Sequence, residues 1–147
     1  MGVLSDLIKD QSKRRGIVDD GVSVIDAEVA DKRGLSGMAV KAGYKAVKKI
    51  KPGFVNMALD MLMPEFAAAV DPYYDEWKSS GNGTLEQFFK RNDNRVAESL
   101  LSITDKRVDS KTNRVVSKAY RGLRGQGVGH TKSAMPRLAG LVMRHIK

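Results

Sequence analysis

The sequence predicts an all-α fold: a single domain over residues 1–147, built as a bundle of about seven or eight short helices. Apolar residues recur at helical spacing along nearly the whole chain, and no stretch alternates between apolar and polar residues for long enough to require a strand. A length of 147 residues is typical of one domain, and 41% hydrophobic with 29% charged residues is the composition of a globular protein.

The first long helix is predicted over residues 14–32. Its apolar positions follow one helical face, and they are Val18, Val22, Ile25 and Val29. The short segment 22–24 would also suit a strand, but the longer apolar period favours the helix.

The next helix, predicted over residues 36–50, is expected to be amphipathic and basic. Small residues at Ala39, Gly43 and Ala46 are placed on its inward face, where they would let a neighbouring helix approach closely. The opposite face carries four lysines, Lys41, Lys45, Lys48 and Lys49.

Two prolines are expected to begin new helices, because proline has no amide hydrogen and is tolerated in a first helical turn. A helix over residues 54–62 is therefore predicted to end near Met63, with a new helix starting at Pro64. By the same argument, Asp71 is predicted to cap a short helix that begins at Pro72.

Turn-forming and capping residues divide the second half of the chain. A loop is predicted over residues 79–83, and a capping box of Thr84 and Gln87 starts the following helix. Asp93 is predicted to cap the next helix. A further helix is predicted over residues 111–123, a glycine-rich loop over 124–130, and a last helix from about Ser133.

Charge is distributed in blocks. The chain has 26 Lys and Arg against 17 Asp and Glu, a net charge of +9. Nine of the basic residues and no acid fall after Asp109, so the first 109 residues carry 17 of each sign and sum to zero. Five lysines without an acid lie between Lys41 and Lys51, and five acids without a base lie between Asp60 and Glu76.

These blocks favour a non-enzymatic basic binding or accessory protein that contacts an anionic partner, either nucleic acid or an acidic protein. Tyr44 and Tyr120 are close in sequence to the basic stretches and would suit stacking on bases. Alternatively, the basic blocks face water or pair with the acidic block within the molecule. The candidate anion-binding residues are Lys41, Lys45, Lys48, Lys49, Arg114, Lys118, Arg121, Arg124, His130 and Lys132.

The sequence gives little support for catalysis, a cofactor or a metal. The glycine-rich run before Ser133 is not preceded by a predicted strand, and Lys132 does not directly follow a glycine as a phosphate loop requires. Its end, residues 130–133, would still suit a phosphate at a helix start. There is no cysteine, the spacing of His130 and His145 fits no helical ligand pair, and no nucleophile motif is present.

An alternative is a small-molecule-binding protein or enzyme that uses an aromatic cluster over residues 73–77. Tyr73 and Trp77 share a helical face, with Tyr74 beside them, and the three could line a pocket. Packing in the core is the competing interpretation for these rings, and the sequence favours it.

No apolar run approaches the roughly 20 residues that span a bilayer, so no transmembrane segment is predicted. The N-terminal basic cluster follows a short apolar turn, the reverse of a secretory signal, which predicts a cytoplasmic protein. Association of the lysine helix with a membrane surface is a weaker alternative, and the oligomeric state is left open.

The succession GLSGMAVKAGYKAVKKIKPGFV, LDMLMPEF, AVDPYY, SLLSITDKRV, YRGLRG and MPRLAGLVMRH resembles a family of small uncharacterised bacterial helical proteins. The similarity runs from about Ala30 through most of the chain. It implies a helical domain and supplies no activity, cofactor or catalytic residue.

Overall fold

All regular structure in the computed structural model is helical over the residues that it describes, 2–108 and 112–146, which confirms the predicted all-α class. The first residue of the helix predicted over 111–123 lies outside the described residues. The helices are α1 Val3–Leu7, α2 Gln11–Asp31, α3 Gly34–Lys48, α4 Phe54–Ser80, α5 Leu85–Arg91, α6 Asp93–Arg107, α7 Arg114–Leu123, α8 Gly127–Ser133 and α9 Met135–His145.

The long helix α4 lies at the centre of the bundle and packs against α1, α2, α3, α5 and α6. Its buried side chains include Met63, Val70 and Tyr74. On the other helices, Phe89 and Met135 are fully buried. Helix α9 packs against α2 and α5, so the C-terminal end of the chain closes the core formed by the N-terminal part.

The prediction that helices begin at Pro64 and Pro72 is wrong, because α4 runs without interruption through both prolines. A proline inside a helix leaves the carbonyl four residues earlier without its amide donor. For Pro64 that carbonyl belongs to Asp60, and the Arg14 guanidinium donates to it at 2.7 Å. A side chain from α2 therefore satisfies the group that the proline leaves unpaired.

Asp71, predicted to cap a helix starting at Pro72, lies inside α4 and caps α1 instead. Its carboxylate accepts hydrogen bonds from the amides of Leu4 and Ser5 at 2.8 and 3.2 Å, and from the Ser5 hydroxyl at 2.6 Å. A side chain at Gly2 would overlap the Asp71 carboxylate, so glycine is required at this point of contact. The helix N-terminus is thus capped by a residue distant in the sequence.

The glycine-rich segment predicted as a loop over residues 124–130 is helical. A short 3₁₀ turn, Arg124–Gln126, leads directly into α8. Helix α8 packs against α6, and a methyl group placed on Gly127 would lie in ordinary van der Waals contact with Leu101 of α6, at 3.4 Å. Tertiary packing therefore overrides the low helix propensity of glycine here.

Of the two helix caps predicted near residues 84 and 93, one is confirmed and the other is wrong. Thr84 and Gln87 form the expected capping box, with bonds of 3.1 and 3.0 Å. The Asp93 cap is wrong: Asn92 occupies the cap position, makes no side-chain capping bond, and Asp93 is the first residue of α6. The loop after α4 begins at Gly81 rather than at residue 79.

Candidate anion-binding surface

Helix α3 presents its lysines to solvent, as its sequence predicts. Lys41, Lys45 and Lys49 are exposed, and none of them forms an ion pair with another described residue. Lys48 is also exposed, but its ammonium lies 3.6 Å from Asp26 of α2 and 5.2 Å from the centre of the Tyr44 ring. Three of the four predicted lysines are therefore free to meet a partner.

The inward face of α3 agrees only in part with the predicted one. Ala39 and Ala46 are exposed, whereas Val40 and Val47, predicted on the same face, are half-buried together with Tyr44. This arrangement is favourable because larger side chains bury more apolar area than alanines do. Gly43 keeps its predicted role in close helix packing.

Helix α7 packs against α3 at Gly43. A methyl group on Gly43 would lie 3.3 Å from Leu123 and 3.6 Å from Ala119, both on α7. On the opposite side of α7, Arg114, Lys118 and Arg121 are exposed, and no ion pair joins them to other described residues.

This packing brings two cationic stripes onto neighbouring helices. Neither α3 nor α7 contains an acidic residue. We call this surface the α3–α7 basic face and define it by Lys41, Lys45, Lys49, Arg114, Lys118 and Arg121.

Arg124, also predicted to bind anions, is held by an acid of its own chain. Its guanidinium forms two bonds to the Asp105 carboxylate, at 2.8 and 3.0 Å, and the Tyr120 hydroxyl also donates to Asp105. The bond from Arg124, followed by that from Tyr120, lowers the pKa of Asp105. Arg124 therefore neutralises Asp105 at the edge of the basic face.

His130 and Lys132 lie on α8, outside the α3–α7 basic face. The His130 ring is bonded to the Ser36 hydroxyl at 2.9 Å, and burial, assisted by the charge of Lys32, lowers its pKa. The Lys132 ammonium lies 3.9 Å from Asp93. These two residues join α8 to α3 and α6 in this structure.

The two tyrosines predicted to stack on bases point into the molecule. Tyr44 donates to Asp26 at 2.6 Å, and burial, followed by that bond, raises the pKa of its phenol. The Tyr120 hydroxyl lies 2.6 Å from that of Thr104. Both rings line a cavity of about 270 Å³ that is bordered mainly by α3 and α7.

The acidic block in residues 60–76 does not neutralise the α3 lysines. Its ion pairs are Asp60 with Arg14, Glu65 with Arg107, and Glu76 with Arg95. Pairing within the molecule does occur, but it leaves the α3–α7 basic face uncompensated.

The C-terminal arginines pair instead with acids of α2. Arg144 binds Asp20 at 2.8 Å, and the His145 ring lies 2.9 Å from the same carboxylate. Arg137 contacts Glu28 at 3.1 Å and Asp31 at 2.5 Å. These long-range pairs are invisible in the sequence because their partners lie more than 100 residues apart.

The aromatic cluster forms part of the core. Tyr73 and Tyr74 are buried, and the Tyr73 hydroxyl is bonded to Ser99 at 2.7 Å and to the Arg95 carbonyl at 3.1 Å. The half-buried Trp77 donates to the Gly83 carbonyl at 3.1 Å. Core packing accounts for these rings, and their use in a ligand pocket stays a prediction.

Neither a membrane-spanning helix nor a metal-binding cluster is present in residues 2–108 and 112–146. None of the helices there is long and apolar enough to cross a membrane. No group of three or more acidic or histidine side chains with a geometry suited to a metal ion occurs within the same ranges.

A family of unknown function, DUF6918, matches residues 4–146. The chain belongs to this family. Membership confirms the resemblance to an uncharacterised family. No curated protein and no solved structure matches the chain.

Proposed function

We propose that this member of the DUF6918 family is a non-enzymatic protein that binds the phosphate backbone of nucleic acid through its α3–α7 basic face. The observation that supports the proposal is the packing of α3 on α7, which places six exposed cations on two adjoining helices with no acid on either helix. Such side chains displace condensed counterions from a polyanion, and the release of those ions favours binding.

The shape of the surface suits a nucleic-acid strand. The small residues Ala39 and Ala46 of α3 and Gly122 of α7 are exposed on the same helices as the cations, so no bulky side chain at these positions hinders a strand. A phosphate backbone that crosses both helices would contact the cations of each. Because Tyr44 and Tyr120 point inward, we expect contacts to phosphate without base stacking, and hence little sequence preference.

Fluorescence anisotropy with labelled duplex DNA and single-stranded RNA at several salt concentrations tests the proposal. In one variant, Lys41, Lys45 and Lys49 become alanine. In the matched control, which has the same change of charge, Lys13, Arg15 and Arg91 become alanine; these side chains are exposed and have no ion pair among the described residues.

We expect native binding to weaken steeply as salt rises. The α3 variant should lose about ten-fold or more in affinity, and its log–log salt slope should fall by roughly 2 to 3, since each phosphate contact contributes about 0.9. The control should stay close to the native protein. Absence of native binding at low salt, or equal losses in both variants, would contradict the proposal.

An acidic protein is the competing anionic partner. Poly-glutamate serves as its probe in the same assay. Binding to poly-glutamate without binding to nucleic acid would assign the basic face to a protein partner instead.

A second candidate function is binding to an anionic membrane surface. Leu35 and Met38 are exposed at the start of α3, at 86% and 67%, close to Lys41 and Lys45. Apolar side chains beside lysines are typical of interfacial helices. Co-sedimentation with vesicles of phosphatidylglycerol and phosphatidylcholine, compared with vesicles of phosphatidylcholine alone, tests this candidate.

We also propose that the protein acts in the bacterial cytoplasm. Nucleic acid, the partner proposed above, is available in that compartment, which supports this location. Fractionation of cells that express a tagged chain would test it.

A further inference from the structure

A second cavity lies in the core of the bundle, and its volume is slightly larger than that of the cavity lined by Tyr44 and Tyr120. Its volume is about 300 Å³, and side chains from α1, α2, α4, α6, α8 and α9 surround it. The lining is aliphatic apart from Phe66 and two threonines, and none of its residues is charged. The cavity is partly open to solvent.

The two threonine hydroxyls in the lining already have partners. Thr131 donates to the Gly127 carbonyl at 2.7 Å, and Thr104 donates to the Leu101 carbonyl at 3.0 Å and lies against the Tyr120 hydroxyl. Both hydroxyl hydrogens of the lining are thus used within the protein, so its side chains offer no free donor to a ligand. The part of a ligand that enters the cavity is therefore a hydrocarbon.

The volume is large for an empty space in a folded protein. Protein interiors are close-packed, with few voids larger than a water molecule. An engineered apolar cavity of about 150 Å³ stays dry and takes up benzene. A cavity of twice that size accommodates a correspondingly larger hydrocarbon.

Several apolar side chains remain half-buried although they line this interior space. Ile25, Leu59, Phe66, Leu100 and Leu141 all belong to this group. The surface that they leave uncovered borders the cavity, so a hydrocarbon there would remove it from water and be stabilised by the hydrophobic effect.

We propose that this cavity binds the aliphatic chain of an amphiphile such as a medium-chain fatty acid or alcohol. Aliphatic residues dominate the lining, and a single aromatic ring offers little stacking for an aromatic ligand. Because the cavity is partly open, the polar end of the ligand can remain in water while its chain is buried. The proposal is independent of the nucleic-acid surface on α3 and α7.

The binding of dodecanol tests the proposal. Two methods measure it: displacement of the fluorescent probe N-phenylnaphthylamine, and the change in the Tm of thermal unfolding. Ala67 lines the cavity and is buried on α4, so Ala67→Leu should fill part of the space. The matched control is Ala68→Leu, the same substitution at the next position, where the side chain is exposed and outside the cavity. A second variant, Val24→Leu, extends a half-buried lining residue of α2 by one carbon.

We expect saturable dodecanol binding that raises the Tm of the native protein. Ala67→Leu should weaken binding by at least about ten-fold and Val24→Leu by a smaller factor, since added methylenes occupy the ligand volume; Ala68→Leu should bind as the native chain does. If circular dichroism shows that Ala67→Leu does not fold, Val24→Leu decides the result. Absence of native binding, or equal affinity in every folded variant, would overturn the proposal.

Discussion

At the scale of single residues, Asp71 shows how one buried side chain can fix the position of a helix. It is a buried carboxylate, 6% exposed, and its oxygens accept three hydrogen bonds from Leu4 and Ser5. Hydrogen bonds to an ionised acceptor are stronger than neutral ones, and a helix N-terminus favours a negative charge. Asp71 therefore fixes the position of α1 on α4.

Replacing Asp71 by alanine should destabilise the protein by about 2 to 3 kcal/mol, because two amides of α1 lose their charged acceptor. Urea unfolding measures the loss, and hydrogen exchange should show faster exchange at Leu4 and Ser5. The control is Asp75→Ala, at an exposed position on the same helix. Equal stability of the two variants would show that α1 does not depend on this cap.

At the scale of elements, α4 shows how tertiary structure overrides a local signal. Pro64 would ordinarily end or kink a helix, but Arg14 donates to the Asp60 carbonyl that the proline leaves without a donor. The same guanidinium also binds the Asp60 carboxylate at 2.7 Å. The two helices are thereby joined at the point where α4 lacks its own hydrogen bond.

Replacing Pro64 by alanine should stabilise the protein by about 1 to 3 kcal/mol, because proline is about 3 kcal/mol less favourable than alanine inside a helix and part of that gain is offset by a freer unfolded chain. Urea unfolding measures the change. Pro52→Ala, outside the helices and exposed, is the control and should be neutral or slightly destabilising. A Pro64→Ala variant no more stable than this control would show that Arg14 already compensates fully.

The sequence predicts elements well where the signal is local. The Thr84 capping box needs four consecutive residues, and the lysine stripe of α3 needs only helical spacing; both are present. The Asp60 carbonyl inside α4 is bonded by Arg14 of α2, and the helix over residues 127–133 packs against α6. Interactions between distant segments cannot be deduced from spacing along one chain.

The same distinction applies to the candidate site. The exposed lysines were predictable, but the alignment of α3 with α7 was not, because it rests on the approach of Gly43 to Leu123 and Ala119. Nor could the sequence show that Arg124 is already held by Asp105. The core cavity carries no sequence signal at all, since its lining is drawn from six helices.

At the scale of the whole molecule, ion pairs join α2, near the start of the sequence, to α9, near its end. Asp20 of α2 binds Arg144 and His145 at the end of α9. The bond from Arg144, opposed by burial and assisted by His145, lowers the pKa of Asp20 below its usual 3.8. The ionised carboxylate is therefore more favourable in the folded state than in the unfolded state.

A lowered carboxyl pKa contributes stability that is complete above the unfolded value and is lost as the pH falls through the folded value. At neutral pH, Asp20→Asn should be less stable than the native protein by about 1 kcal/mol, since the Arg144 side chain is half exposed. At a pH below the lowered pKa of Asp20, the difference in stability between the variant and the native protein should disappear. Urea unfolding at neutral and strongly acidic pH, with Asp75→Asn as control, checks this; a gap independent of pH would contradict it.

The capping of α1 by Asp71 also has a consequence for the order in which the chain becomes structured during synthesis. Residues 3–7 are translated before α4, but a five-residue helix has no stability of its own in water. Its amides gain their hydrogen-bond acceptor only after Asp71, 67 residues beyond Leu4, has been translated and α4 has formed. Helix α1 therefore cannot form stably until the chain has been extended through the middle of α4.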